Sequence, residues 1–114
     1  SVSGLMGHPE GVSVYCTSKG GLNNMTRVLA LELADQVRVN AIAPGPIDTD
    51  MHRIPARESG DESGYFDAID NAVPMGRIGA VREMANGILY LASDLAGYST
   101  GAILSLDGGM AAGH

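Results

Sequence analysis

Val37-Arg38-Val39-Asn40-Ala41-Ile42-Ala43-Pro44-Gly45-Pro46-Ile47-Asp48-Thr49 runs from a short apolar stretch into a turn. Val37 to Ala43 has two polar interruptions, Arg38 and Asn40, and Pro44 closes it because proline brings no N–H to a ladder. Upstream, Val14 to Ala34 reads as one long helix, with Leu22, Met25, Thr26, Leu29, Ala30 and Leu33 at helical spacing. Val28 and Leu31 lie off that stripe, so the helix is apolar on more than one face. A helix packed on a sheet and against a partner subunit has that pattern, and so does a helix buried within one chain. Downstream, Val81 to Leu95 reads as a second helix, with Met84, Ile88 and Leu91 marking its buried face. A strand bracketed by helices is expected to be parallel. Ala102 to Asp107 is the second strand, ended by Gly108-Gly109. The pattern predicts an α/β fold whose two strands lie side by side, parallel, through a right-handed crossover.

The remaining segments read as connections. Ser1 to Ser13 carries Gly4, Gly7, Pro9 and Gly11 and is expected to be a loop. Residues 58–70 hold Glu58, Asp61, Glu62, Asp67 and Asp70 among serines and glycines, which predicts a solvated, mobile segment. Ala80-Val81-Arg82 offers no side-chain oxygen at the start of the second helix, so a weak cap is expected there.

Composition narrows the function classes. The 114 residues, 45% apolar, suffice for one globular domain. A net charge of −6 argues against nucleic acid or an anionic membrane as partner. No apolar run approaches the length of a membrane span, and no basic-then-apolar leader is present. The single cysteine, Cys16, excludes an internal disulfide and suits a reducing cytosol; it reads as a small core thiol. His8, His52 and His114 are far apart and lack metal-ligand spacing, so no metal site is assigned.

One spacing carries chemistry. Tyr15-Cys16-Thr17-Ser18-Lys19 puts the only lysine four residues after a tyrosine, on one helix face. An ammonium beside a phenol favours the phenolate. A tyrosine so placed can exchange a proton with an alcohol or carbonyl near neutral pH. Ser1 stands fourteen residues upstream of Tyr15.

Together with the Pro44 to Thr49 loop, the Gly76-Arg77-Ile78-Gly79 turn, Leu91 to Asp94, Thr100-Gly101 and Asp107-Gly108-Gly109, these residues resemble the second half of a short-chain dehydrogenase/reductase. The wording of Pro44 to Met51 and Val73 to Gly79 is similar to 3-oxoacyl-(acyl-carrier-protein) reductases, though other dehydrogenases of the family share it. The resemblance implies the C-terminal, catalytic and substrate-side half of a doubly wound Rossmann-like sheet. Its glycine-rich dinucleotide-binding half is absent from residues 1–114. It implies hydride transfer between NAD or NADP and a small carbonyl or secondary alcohol, with Tyr15 as acid/base and Lys19 tuning it and holding the nicotinamide ribose. Ser1 would bind the substrate oxygen; Ser-x-x-Gly favours it over Ser3, at one residue beyond the usual spacing. Pro44 and Gly45 would turn the chain at the cofactor. There the Ile47 backbone would meet the carboxamide and the Thr49 hydroxyl would bind nearby. Residues 58–70 would form a lid over the substrate. In such proteins the long helix commonly builds homodimer or homotetramer contacts. Against an acidic carrier protein stands Glu32-Leu33-Ala34-Asp35-Gln36, which has no basic patch. A non-catalytic remnant that associates through its long helix remains open as the alternative.

Overall fold

The computed structural model describes residues 1–5 and 12–113. Most of the expected Ser1–Ser13 loop, His8 and His114 lie outside the described residues. A 3-10 turn at Val2–Gly4 precedes α1 (Ser13–Glu32), β1 (Ala41–Pro44), α2 (Asp50–Glu58), α3 (Glu62–Ala72) and α4 (Val81–Ala92). A second 3-10 turn (Asp94–Ala96), β2 (Ile103–Leu106) and a third 3-10 turn (Met110–Gly113) follow. The two strands pair in parallel, Ala41 opposite Ile103 through Pro44 opposite Leu106, as the helix-bracketed pattern requires. The ladder runs on past both ends, with Ala41 N–H donating to Ala102 O at 2.9 Å and Gly45 N–H to Leu106 O at 3.1 Å.

The first strand is shorter than the expected Val37 to Ala43. Residues 37–40 are tied down by side chains instead of a ladder. The Arg38 guanidinium donates to Leu91 O (2.8 Å), Ser99 O (3.2 Å) and Ser93 O (3.2 Å). Asn40 donates to Ser99 O and accepts from Ala102 N–H, while Val39 N–H donates to the Thr100 hydroxyl. The two polar interruptions of the apolar run therefore hold the approach to β1 against the 91–102 connection.

α4 lies flush on the sheet because Gly87 has no side chain; a Cβ there would run into the Leu106 side chain. Met84 and Gly87 are its buried residues and Leu91 is half-buried, whereas Ile88, expected inside, is 54% exposed. The helix stops at Ala92 instead of Leu95, since the Ser93 hydroxyl accepts from Leu95 N–H and starts the next turn. Its start is also better held than Ala80 suggested. Glu83, three residues in, accepts from Ala80 N–H at 2.9 Å and is gripped by Arg77 at 2.7 and 2.9 Å. That is half of a capping box, with the helix supplying the carboxylate.

Two further expectations change. In α1 the buried positions are Asn23, Thr26 and Ala30, so the stripe is narrower and more polar than predicted; Leu22 and Met25 are exposed. The acidic segment at 58–70, expected to be solvated and mobile, is largely helical. Asp61 caps α3 by accepting from Gly64 N–H, Glu62 suits the positive helix start, and Tyr65 reaches back to His52 of α2 at 3.1 Å. Composition registered the solvent face of this helical pair and missed its caps.

Candidate active site

Tyr15 and Lys19 occupy successive turns near the start of α1. The Lys19 ammonium stands 5.5 Å from the centroid of the Tyr15 ring, a cation–π contact that keeps the two side chains together. Tyr15 is 44% exposed, while Lys19 is half-buried. Cys16, between them in sequence, is a half-buried free thiol.

The Val2–Gly4 turn packs on the same helix. A Cβ at Gly4 would lie 2.7 Å from Lys19 O and 2.5 Å from Asn23 Nδ2, so only glycine admits this approach. Ser1 caps the turn: its hydroxyl accepts from Ser3 N–H at 3.2 Å. An oxygen that accepts in this way keeps its own O–H free to donate. The 3-10 turn also touches β1, which brings the serine, the tyrosine–lysine pair and the end of the sheet into one neighbourhood.

The Pro44 to Thr49 segment leaves the carboxyl end of β1, where open α/β sheets bind ligands. Gly45 is required there because a Cβ would meet the Asp107 backbone at 2.8 Å. Ile47 forms a parallel bridge with Gly79, made by Gly79 N–H to Pro46 O and Asp48 N–H to Gly79 O, both 2.9 Å. Those bonds use the neighbours of Ile47, so its own N–H faces away from Gly79. Thr49 is the N-cap residue of α2, yet its hydroxyl makes no capping bond. Asp48 takes Arg53 in a two-point ion pair at 2.7 and 3.1 Å, and the arginine hydrogen bond holds the Asp48 carboxyl below the usual carboxylate range. A main-chain donor and a hydroxyl not spent on the fold thus stand in the loop that leaves β1.

Thr100-Gly101 and Asp107-Gly108-Gly109 lie at the two ends of β2, where the chain bends. Gly101, Gly108 and Gly109 have φ of 75°, 62° and 98°. The Asp107 carboxylate accepts from Gly109 and Ala111 N–H, both at 2.9 Å. A separate cavity of about 320 Å³ lies between Val73, Met75, Met84 and Leu106 and is bordered by Pro46, but Tyr15 and Lys19 do not line it. Sequence reasoning passed over Asn23, which continues the Tyr15–Lys19 row at the same spacing of four and is buried between α1 and the Ser1–Gly4 turn. That spacing was the available signal.

Known proteins resemble this chain over nearly its whole length. The family model described as enoyl-(acyl carrier protein) reductase matches residues 1–111. A 3-oxoacyl-(acyl-carrier-protein) reductase of Thermotoga maritima is 42% identical over 111 residues, covering 96% of this chain and 42% of that protein. Among solved structures, ElxO with NADP bound superposes with a TM-score of 0.87 at 32% identity, over 98% of this chain and 44% of that one. 4-Hydroxyisoleucine dehydrogenase complexed with NADH gives 0.85 at 35% identity, over 100% of this chain and 45% of that one. The chain spans 42% of the length of the curated relatives it matches.

Proposed function

As the chain belongs to the short-chain dehydrogenase/reductase family, we propose that it carries the proton-transfer half of an NAD(P)-dependent oxidoreductase acting on a small carbonyl or secondary alcohol. The observation that carries this reading is the Tyr15–Lys19 pair, an exposed phenol with an ammonium over its ring, beside the Ser1 turn. When bound, the nicotinamide supplies or accepts the hydride, and the protein supplies the proton and the orientation. Tyr15 gives its hydroxyl proton to the carbonyl oxygen in reduction and takes it back in oxidation. Lys19 stabilises the phenolate left behind and reaches the ribose. Ser1, whose O–H is free to donate, steadies the substrate oxygen as charge develops. The turned-out Ile47 N–H and the Thr49 hydroxyl suit the carboxamide, with Pro44 and Gly45 setting the turn that presents them.

The relatives' names support the reaction class and leave the substrate open, since one reduces a 3-oxoacyl thioester on a carrier protein and another is named for an amino-acid alcohol. NADP in one solved relative and NADH in the other leave the nucleotide open too. A role as a homo-oligomer fits the exposed apolar side chains of α1. The same exposure supports the second reading, a non-catalytic protein that only associates. Tyr15→Phe separates the two. In the active protein it is expected to cut turnover by about a hundredfold or more with the melting temperature unchanged, since it deletes one oxygen from an exposed ring. Turnover near that of the parent would end the assignment.

A further inference from the structure

Asp70 is a carboxylate to which the proposed chemistry gives no part. It stands in the last turn of α3, half-buried, and accepts from Ile78 N–H at 2.8 Å, eight residues further on. That bond closes the chain reversal between α3 and α4, where Gly76 has φ of 78°. What lies on the far side of Ile78-Gly79 gives the bond its reach. Gly79 N–H donates to Pro46 O and Asp48 N–H donates to Gly79 O, both at 2.9 Å. In an extended segment successive residues turn their N–H groups to opposite sides, so Ile78 faces Asp70 while Gly79 faces the loop that leaves β1. The pair is a splint. Asp70 holds one edge of it, and the other edge holds Pro46 and Asp48 on either side of Ile47. A second route also joins α3 to this loop: Tyr65 meets His52 of α2 at 3.1 Å, and Arg53 of α2 grips Asp48. The ion pair in that route leaves 47% and 42% of its two side chains exposed, and such pairs contribute little. A carboxylate accepting from a half-buried main-chain N–H is the stronger link.

We propose that Asp70 is a positioning residue for Ile47: by holding Ile78, its carboxylate sets the Ile78-Gly79 splint and, through it, the loop that turns the Ile47 N–H outward at the carboxyl end of β1. Asp70 touches no reacting atom and acts through main chain alone. The end of α3 and the Pro46 to Asp48 loop then hold or loosen together. The inference deepens the proposed function and rests on it only for its kinetic consequence.

The test compares Asp70→Ala, which removes the acceptor, with Asp70→Asn, which keeps a carbonyl oxygen in its place, in the full-length protein. In the alanine variant, amide exchange at Gly79 and Asp48 should speed up by about tenfold. Ala41, whose N–H is bonded to Ala102 O in the ladder, should keep its rate, which separates a loosened loop from a weakened fold. The asparagine variant should return both amides to within about twofold of the parent. With the Ile47 N–H less firmly placed, the KM for the nicotinamide nucleotide should rise about three- to tenfold in the alanine variant, and that for the substrate should stay within about twofold. Faster exchange confined to Ile78, or an equal rise at Gly79, Asp48 and Ala41, would overturn the proposal, as would failure of the asparagine to restore the rates. Should Asp70→Ala not fold, Asp70→Glu moves the acceptor by one methylene and is read at the same amides. Faster exchange at Asp48 with an unchanged nucleotide KM would uphold the role of Asp70 and defeat the assignment of Ile47 to the nucleotide. Absence of any dehydrogenase turnover in the parent would defeat the oxidoreductase reading alone, and the exchange rates would still decide the role of Asp70.

Discussion

Gly45 and Gly87 show how single positions let the sheet carry a site. At Gly45 a Cβ would stand 2.8 Å from Asp107 Cα, a main-chain atom that can move only with its strand. At Gly87 the obstruction is the end of the Leu106 side chain, which has other rotamers. Gly45→Ala should therefore cost about 1–3 kcal/mol by overpacking and displace the Pro44 to Thr49 turn. Gly87→Ala should cost less, and thermal unfolding of the two variants gives the order; the reverse order would show that the β1–β2 ends yield more easily than α4. At this scale the sequence was most legible where chemistry and spacing coincide. Tyr15 and Lys19 meet because residues four apart on a helix must, and the chain turns after Pro44 because Gly45 allows close approach to Asp107. Asn23 sits at the same spacing, yet its burial comes from the Ser1–Gly4 turn folding back on α1, and no local pattern encodes that contact.

The secondary-structure elements are held by a few polar side chains at their ends. Glu83 is the clearest: the hydrogen bond from Arg77 comes first, then that from Ala80 N–H, and they lower its pKa from 4.5 to about 2. A carboxylate depressed in the folded state contributes its stability above the unfolded pKa and loses it as pH falls through the folded one. The melting temperatures of the parent and of Glu83→Gln should thus differ at neutral pH, draw together below about pH 4.5 and meet near pH 2. A gap that persisted to pH 2 would mean that packing, and not charge, accounts for the difference. Arg38 clamps the other end of α4 through the carbonyls of Leu91, Ser93 and Ser99. Arg38→Lys keeps the charge but cannot span three carbonyls with one ammonium, so a loss of about 1.5–3 kcal/mol is expected in denaturant unfolding. Both clamps account for what the sequence reading missed. Arg38 and Asn40 looked like interruptions of a strand and are the reason the strand starts at Ala41. The cap of α4 comes from inside the helix, so inspecting Ala80 alone could not reveal it. Similarly, Asp61 and the His52–Tyr65 contact make helices of an acidic stretch whose composition signals only solvent.

The molecule as a whole exposes more surface than a folded chain of its mass should. Its 7337 Å² compares with about 5,900 Å² expected for a compact monomer of 11.7 kDa. Its radius of gyration, 15.7 Å, exceeds the ~13 Å of a compact 114-residue domain, and it measures 52 × 29 × 25 Å. The excess, about 1,400 Å², is larger than the ~800 Å² one partner buries in a standard interface. Large apolar side chains contribute to it: Val14 is 83% exposed and Leu31 82% on α1, while Leu89 on α4 is 68% exposed. No large side chain among the described residues is fully buried. Such a surface, beside a two-stranded sheet with an open edge, favours association. Residues 1–114 alone should sediment as a concentration-dependent oligomer; a strictly monomeric species at tens of micromolar would contradict this. Cofactor binding follows from the same geometry. Under the proposed function Tyr15, Lys19, Ile47 and Thr49 would address the nicotinamide end, whereas no Gly-x-Gly-x-x-Gly turn in this sequence cradles a pyrophosphate at a helix start. With only one end of the dinucleotide engaged, residues 1–114 by themselves should bind NAD(H) and NADP(H) negligibly and show no dehydrogenase turnover. Calorimetric titration of the purified chain tests this directly, and saturable micromolar binding of either nucleotide would show that the nicotinamide side suffices.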